Sequence, residues 1–170
     1  MKIIFVDGYN VINYWPGLKD IKEQSLEIAR DKLVETLNNY AAYKDYKVII
    51  VFDAHLKKGS LEKSDKISER LSVVYTKEGE TADAFIEKSV DEIGRKSEVS
   101  VVTSDSLEQQ LIFQRGAVRV SSMEFYNDVK EVERSIKGSI EKKYTHNRQI
   151  LEEVVGSDVL QKLEKIRRSE

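Results

Sequence analysis

A doubly wound α/β domain is the fold class that this sequence predicts, and three observations point to it. Short, largely apolar runs (Ile3 to Val6, Val48 to Phe52, Val99 to Val102) alternate with longer stretches of helical period. These runs lack the polar alternation of a strand with one wet face, as expected of a mainly parallel sheet covered on both sides. The polar residues that break the pattern fall just after the runs, at the carboxyl ends of the expected strands.

Taken in order, Ile3 to Val6 reads as a buried first strand. Ile21 to about Tyr43 reads as a helix, because Ile21, Ser25, Ile28, Ala29, Leu33, Thr36, Leu37 and Tyr40 recur near helical period. Val48 to Phe52 is the second strand, followed by a polar, lysine-rich loop from about Ala54 to Ser68. Leu71 to Tyr75, rich in β-branched and aromatic residues, is the third. A helix runs from Thr81 to about Gly94, where Ala82, Phe85, Ile86, Ser89, Val90 and Ile93 share a face and the glycine marks the stop. Val99 to Val102 is the fourth strand. A helix from about Asp105 to Gln114, a short strand from Ala117 to Val120 and a helix from Ser122 to about Lys137 complete the core. Beyond Gly138 the chain is more polar, and Val159, Leu160, Leu163 and Ile166 form one apolar helix face. The expected organisation is one domain over residues 1–137 and a helical extension, 138–170, packed on that domain.

Composition bounds the function. The chain has 170 residues, 40% of them hydrophobic and 34% charged, an ordinary balance for a soluble domain. No apolar stretch approaches the ~20 residues of a membrane span, and the four apolar residues after Lys2 are too short for a signal-peptide core. Without cysteine there are no disulfides and no thiolate metal site, so the cytoplasm is the expected compartment. A net charge of −2 excludes the strong positive field of a protein that grips nucleic acid by counterion release alone. Contact with RNA must then be local, and the lysine-rich stretch with Lys57, Lys58, Lys63, Lys66 and Arg70 is the candidate beside the acidic edge.

That edge gathers Asp7 and Asn10 after the first strand, Asp53 after the second, Glu80 and Asp83 after the third, and Asp105 after the fourth. In open α/β sheets ligands bind outside the carboxyl ends of the strands, so right-handed connections bring these residues together. Carboxylates held close repel one another and stay ionised when a cation neutralises them. An oxygen-only donor set favours Mg²⁺ or Mn²⁺ over Zn²⁺, and such an ion suits phosphodiester hydrolysis. Each residue also has a structural reading. Asp7-Gly8 is a common turn pair, Glu80 and Asp83 suit the first turn of a helix that Thr81 can cap, and Asp105 with Glu108 has capping-box spacing. His55 reads as a loop residue, and Tyr14 and Trp15 as cover for the core.

Together, "VDGYNVI", "FDAH", "ETADAFIE", "TSD" and the terminal "VLQKLEKIRR" resemble the YacP-like branch of the NYN domain family, among PIN-like nucleases. The resemblance implies a PIN-like fold and a divalent-metal-dependent endoribonuclease that acts on mRNA at translating ribosomes, with no DNA partner and a monomer expected. By motif, it implies that Asp7, Asp83 and Asp105 bind metal, with Asn10 as polar partner and Glu80, Thr103 and Ser104 as further site residues. Many relatives carry paired aspartates where this chain has Ala82-Asp83-Ala84, one carboxylate fewer. The contrasting expectation is a non-catalytic ribosome- or RNA-binding module that keeps the nuclease fold. Other classes fail on their own motifs: no G-x-G-x-x-G or G-x-x-x-x-G-K-[ST] is present. A receiver domain would need an acidic pair after the first strand and lysine at Asp105, and an aspartyl phosphatase a second Asp at Tyr9.

Overall fold

Ile3–Asp7 (β1) runs through the middle of a six-stranded sheet. The computed structural model describes residues 1–54, 58–104, 116–154 and 156–168. From β1 the chain passes through α1 (Gly8–Tyr14), α2 (Leu18–Gln24), α3 (Leu26–Lys44), β2 (Lys47–Phe52), β3 (Lys63–Lys66) and β4 (Leu71–Tyr75). It continues through α4 (Ala82–Ile93), a 3-10 turn (Gly94–Lys96), β5 (Val99–Val102), β6 (Val118–Val120), α5 (Ser122–Val154) and α6 (Ser157–Arg168). The sheet order is β3-β4-β2-β1-β5-β6. All neighbours are parallel except the β3–β4 pair. The sheet is therefore mixed and mostly parallel, with winding that reverses direction between β1 and β5, as a doubly wound sheet requires.

Both faces are covered. Phe5, Val51, Val99 and Val101 pack with Ala82, Ile86 and Val90 of α4. Their strand neighbours Ile4, Val6, Val48 and Ile50 point the other way by alternation and are buried too. Leu33, Leu37, Tyr40 and Ala41 form the buried stripe of α3. Trp15 joins this packing, with its ring 5.8 Å from Phe125 and its indole N–H donating to the Ser122 carbonyl at 2.8 Å. It covers the core, as its position in the sequence suggests. The Tyr40 hydroxyl donates to Asp128 Oδ2 at 2.5 Å and Lys44 pairs with Oδ1 at 2.9 Å, tying α3 to the start of α5.

Three boundaries differ from expectation, each for a local reason. The helix expected from Ile21 to Tyr43 is two helices, because extended Ser25 (φ −157°) ends α2 and caps α3 by accepting the Ile28 N–H. The loop expected from Ala54 to Ser68 contains β3, an exposed polar edge strand whose sequence carries no apolar signal. Finally, α5 continues to Val154 rather than ending near Lys137. It starts at a capping box, in which Ser121 Oγ accepts the Glu124 N–H at 3.2 Å and Glu124 Oε2 accepts the Ser121 N–H at 2.8 Å. The helix expected over Asp105 to Gln114, and His55, lie outside the described residues.

Two compact units divide the chain, Met1–Lys130 with the sheet and Glu131–Glu170, which is helical. Within the second, Val159, Leu163 and Ile166 share one side of α6 by spacing, and Lys165, Arg167 and Arg168 end the helix, where cations favour its dipole. No described helix is long and apolar enough to cross a membrane.

Candidate functional site

The stretch Asp7-Gly8-Tyr9-Asn10 has four separate tasks, which explains why polar residues interrupt the first apolar run. Asp7 ends β1 and caps α1: its Oδ1 accepts the Asn10 N–H at 3.0 Å. Gly8 stands where the chain turns over the buried Phe52 ring, and a Cβ there would lie 2.4 Å from a ring carbon. Tyr9 packs on that ring at 5.0 Å, and Phe52 stacks on Tyr75 at 5.5 Å. Held between two rings, Phe52 has little room to yield. Gly8→Ala is accordingly expected to destabilise the fold by about 1–3 kcal/mol, the usual cost of overpacking. Urea unfolding measures this, and an unchanged midpoint would refute the close approach.

Asn10 acts as a latch. Its Oδ1 accepts the Ser104 N–H at 3.1 Å and the Ser122 hydroxyl at 2.6 Å, while Ser104 Oγ accepts the Ser122 N–H at 3.1 Å. The first turn of α1 is thus joined to the segment after β5 and to the first turn of α5. Thr103 is fully buried and its N–H donates to the Val120 carbonyl at 3.1 Å.

Above the carboxyl ends of β1, β2 and β4 lies a cleft of about 1130 Å³. Asp7, Asp53 and Asp83 line it, each delivered by a different strand-to-helix or strand-to-strand connection. Thr81 caps α4 by accepting the Ala84 N–H, which places Asp83 in the first helical turn. Capping and convergence therefore coexist at this edge. Burial pushes the Asp7 carboxyl up; the Asn10 amide pulls it down; the charges of Asp83 and Asp53 push it up again, to about 6 from an ordinary 3.8. Aromatic and basic residues also line it, Tyr9, Tyr75, Arg30, Lys58 and Lys63, together with Asp65, the ion-pair partner of Lys63.

Of the residues singled out by sequence, Asp7, Asn10, Asp53, Lys58, Lys63 and Asp83 line the cleft. Glu80, Thr103 and Ser104 are not among its lining residues, and Asp105 and Lys57 lie outside the described residues. Glu80 Oε2 is buried with no hydrogen-bond partner among the described residues. Asp53, gathered at the same edge in the sequence, also lines the cleft and is close enough to Asp7 to shift its titration. Arg30 and Tyr75 carry no local signal, since one belongs to a helix flank and the other ends an ordinary strand.

Among the described residues no group of three or more acidic or histidine side chains is placed to hold a metal ion by itself. The donor chemistry nonetheless fits a hard cation. Asp7 is destabilised as an anion by burial and, to a lesser extent, by neighbouring carboxylates, and Mg²⁺ needs only one or two protein carboxylates beside its waters and substrate phosphates.

Comparison with known proteins agrees with this architecture. The family model for the YacP-like NYN domain matches residues 4–168. The chain is 42% identical over 171 residues to the "Uncharacterized protein YacP" of Bacillus subtilis (strain 168), covering 100% of this chain and 99% of that one. A crystal structure of Rae1 (YacP) from Bacillus subtilis matches with a TM-score of 0.73 at 41% identity, over 99% of this chain and 95% of that one. A structure of a single-site mutant of the same protein gives 0.74 at 40% identity, over 85% of each chain. With its mostly parallel sheet and an acidic group at the carboxyl edge, the chain belongs to the YacP-like NYN domain family and has that family's nuclease fold.

Proposed function

We propose that this protein is a divalent-metal-dependent endoribonuclease that hydrolyses phosphodiester bonds of mRNA on translating ribosomes, in the cytoplasm. The observation that carries the reading is the meeting of Asp7, Asp53 and Asp83 in one cleft of a nuclease-fold chain, where burial first and the neighbouring charges second hold the Asp7 proton to about pH 6. A carboxyl in that position gains from any cation that replaces its proton. Asp7 and Asp83, with Asp105, are the residues that would hold Mg²⁺ or Mn²⁺, which supplies a bound water of lowered pKa and charge stabilisation at the phosphoryl group.

The chain's own residues do the rest. The α1 amide of Asn10 fixes Asp7 at the sheet edge, and Thr81 fixes the turn that carries Asp83. The Asn10 latch holds Ser104, the residue before Asp105 in the chain. Asp105 takes the proton from the attacking water as general base, in place of Glu80, which does not line the cleft. Lys57 and Lys58 are placed by the same reading on the RNA side. A net charge of −2 supports delivery by a docking partner, the ribosome, over nonspecific grip on RNA.

The test is cleavage of mRNA on translating ribosomes, comparing the native protein with a folded Asp83→Asn variant. Cleavage by the native protein that is lost in the variant, with ribosome binding retained, is the expected result. Firm ribosome binding with no cleavage by either protein would instead favour the non-catalytic module.

A further inference from the structure

Arg30 follows the fully buried Ala29 on α3 and reaches the cleft that Asp7, Asp53 and Asp83 also line. Its Nη1 donates to the Tyr9 hydroxyl at 3.2 Å. Tyr9 is itself held, because its ring packs on the buried Phe52 and its backbone belongs to the first turn of α1, two residues after Asp7. The guanidinium is thus braced against the same short helix that presents the first carboxylate. A side chain fixed at both its helix and its tip loses little entropy when it binds.

Chemistry selects what it binds. A cleft lined by four carboxylates, those of Asp7, Asp53, Asp65 and Asp83, repels the polyanion it is to receive, so a phosphodiester needs a fixed positive charge within the cleft itself. Arginine's planar fork matches two phosphate oxygens, and the bond to Tyr9 occupies one of its five donors. Glu27, one turn earlier, and Tyr75 are its other electrostatic neighbours. Lys63 also lines the cleft but pairs with Asp65 at 2.8 Å, and Lys58 stands on an exposed turn.

We propose that Arg30, braced by Tyr9, seats a phosphate of the single-stranded RNA substrate on the basic and aromatic side of the cleft. This rests on the nuclease reading above, and two measurements separate its failure from the failure of that reading. The first is cleavage of mRNA on translating ribosomes. Arg30→Gln is expected to lower the rate about 10- to 100-fold without changing ribosome co-sedimentation, and Arg30→Lys to restore part of it. The second is fluorescence anisotropy of a labelled five-nucleotide RNA titrated to millimolar protein, in the Asp83→Asn background at several salt concentrations. Adding Arg30→Gln is expected to flatten the slope of log affinity against log salt by about 0.7, one phosphate contact on a single strand. A flattened slope alongside inactive native protein would sustain the phosphate seat and sink the nuclease reading. Unchanged slope and affinity, or no binding at millimolar protein, would overturn the phosphate seat even if cleavage proceeds.

Discussion

Asp83→Asn is expected to abolish mRNA cleavage on translating ribosomes, by at least about 10²- to 10³-fold, the scale set by removing one group that stabilises transition-state charge. The substitution keeps side-chain shape, and Thr81 still caps α4, so the helix is retained. Ribosome co-sedimentation and the thermal melt should stay near the native values, which confines the loss to the chemical step. Residual cleavage within threefold of native would remove Asp83 from the site. It would leave the acidic edge as a consequence of capping alone.

Asp7→Asn is expected to stabilise the metal-free protein at neutral pH. Asp7 titrates near 6 in the folded chain against 3.8 when free. The folded pKa is the higher one, so the native state binds the extra proton. The resulting stabilisation is fully present below about pH 4 and lost as pH rises through 6. Above that, the folded protein carries an ionised, buried carboxylate next to two others, at a cost of roughly 3 kcal/mol. An amide avoids that cost, and its oxygen can still accept the Asn10 N–H. In chelator-treated samples the variant should therefore melt several degrees above native at pH 8. The gap should close towards pH 4.

A gap of the same size at both pH values would show that burial and repulsion do not act on Asp7 as described. Adding Mg²⁺ at pH 8 should raise the native melt and leave the variant unmoved, because a ligand stabilises only the state that binds it. Stability and activity then pull this residue in opposite directions, the usual mark of a functional site.

Much of this was written in the sequence because it depends on short-range pattern. Burial on both faces demands largely apolar runs, so β1, β2, β4 and β5 are legible, and a wet edge strand such as β3 demands nothing of the kind. Thr81 as a cap and Gly94 as a stop are similarly local. Asp7 and Asp83 stood out because turns and caps explain each carboxylate singly but not their gathering at one edge of the sheet.

What the chain alone could not show were distances between elements remote in sequence. Arg30 meets Tyr9 across 21 positions and Asn10 meets Ser122 across 112, and neither pair leaves a trace in local periodicity. Asp53 became part of the acidic group only because parallel pairing sets β2 beside β1, with Val51 opposite Asp7. Residue type and spacing determined which chemistry this protein carries. The sheet order decided which side chains share the cleft, since electrostatic and hydrogen-bond energies depend on separation in space and not on separation along the chain.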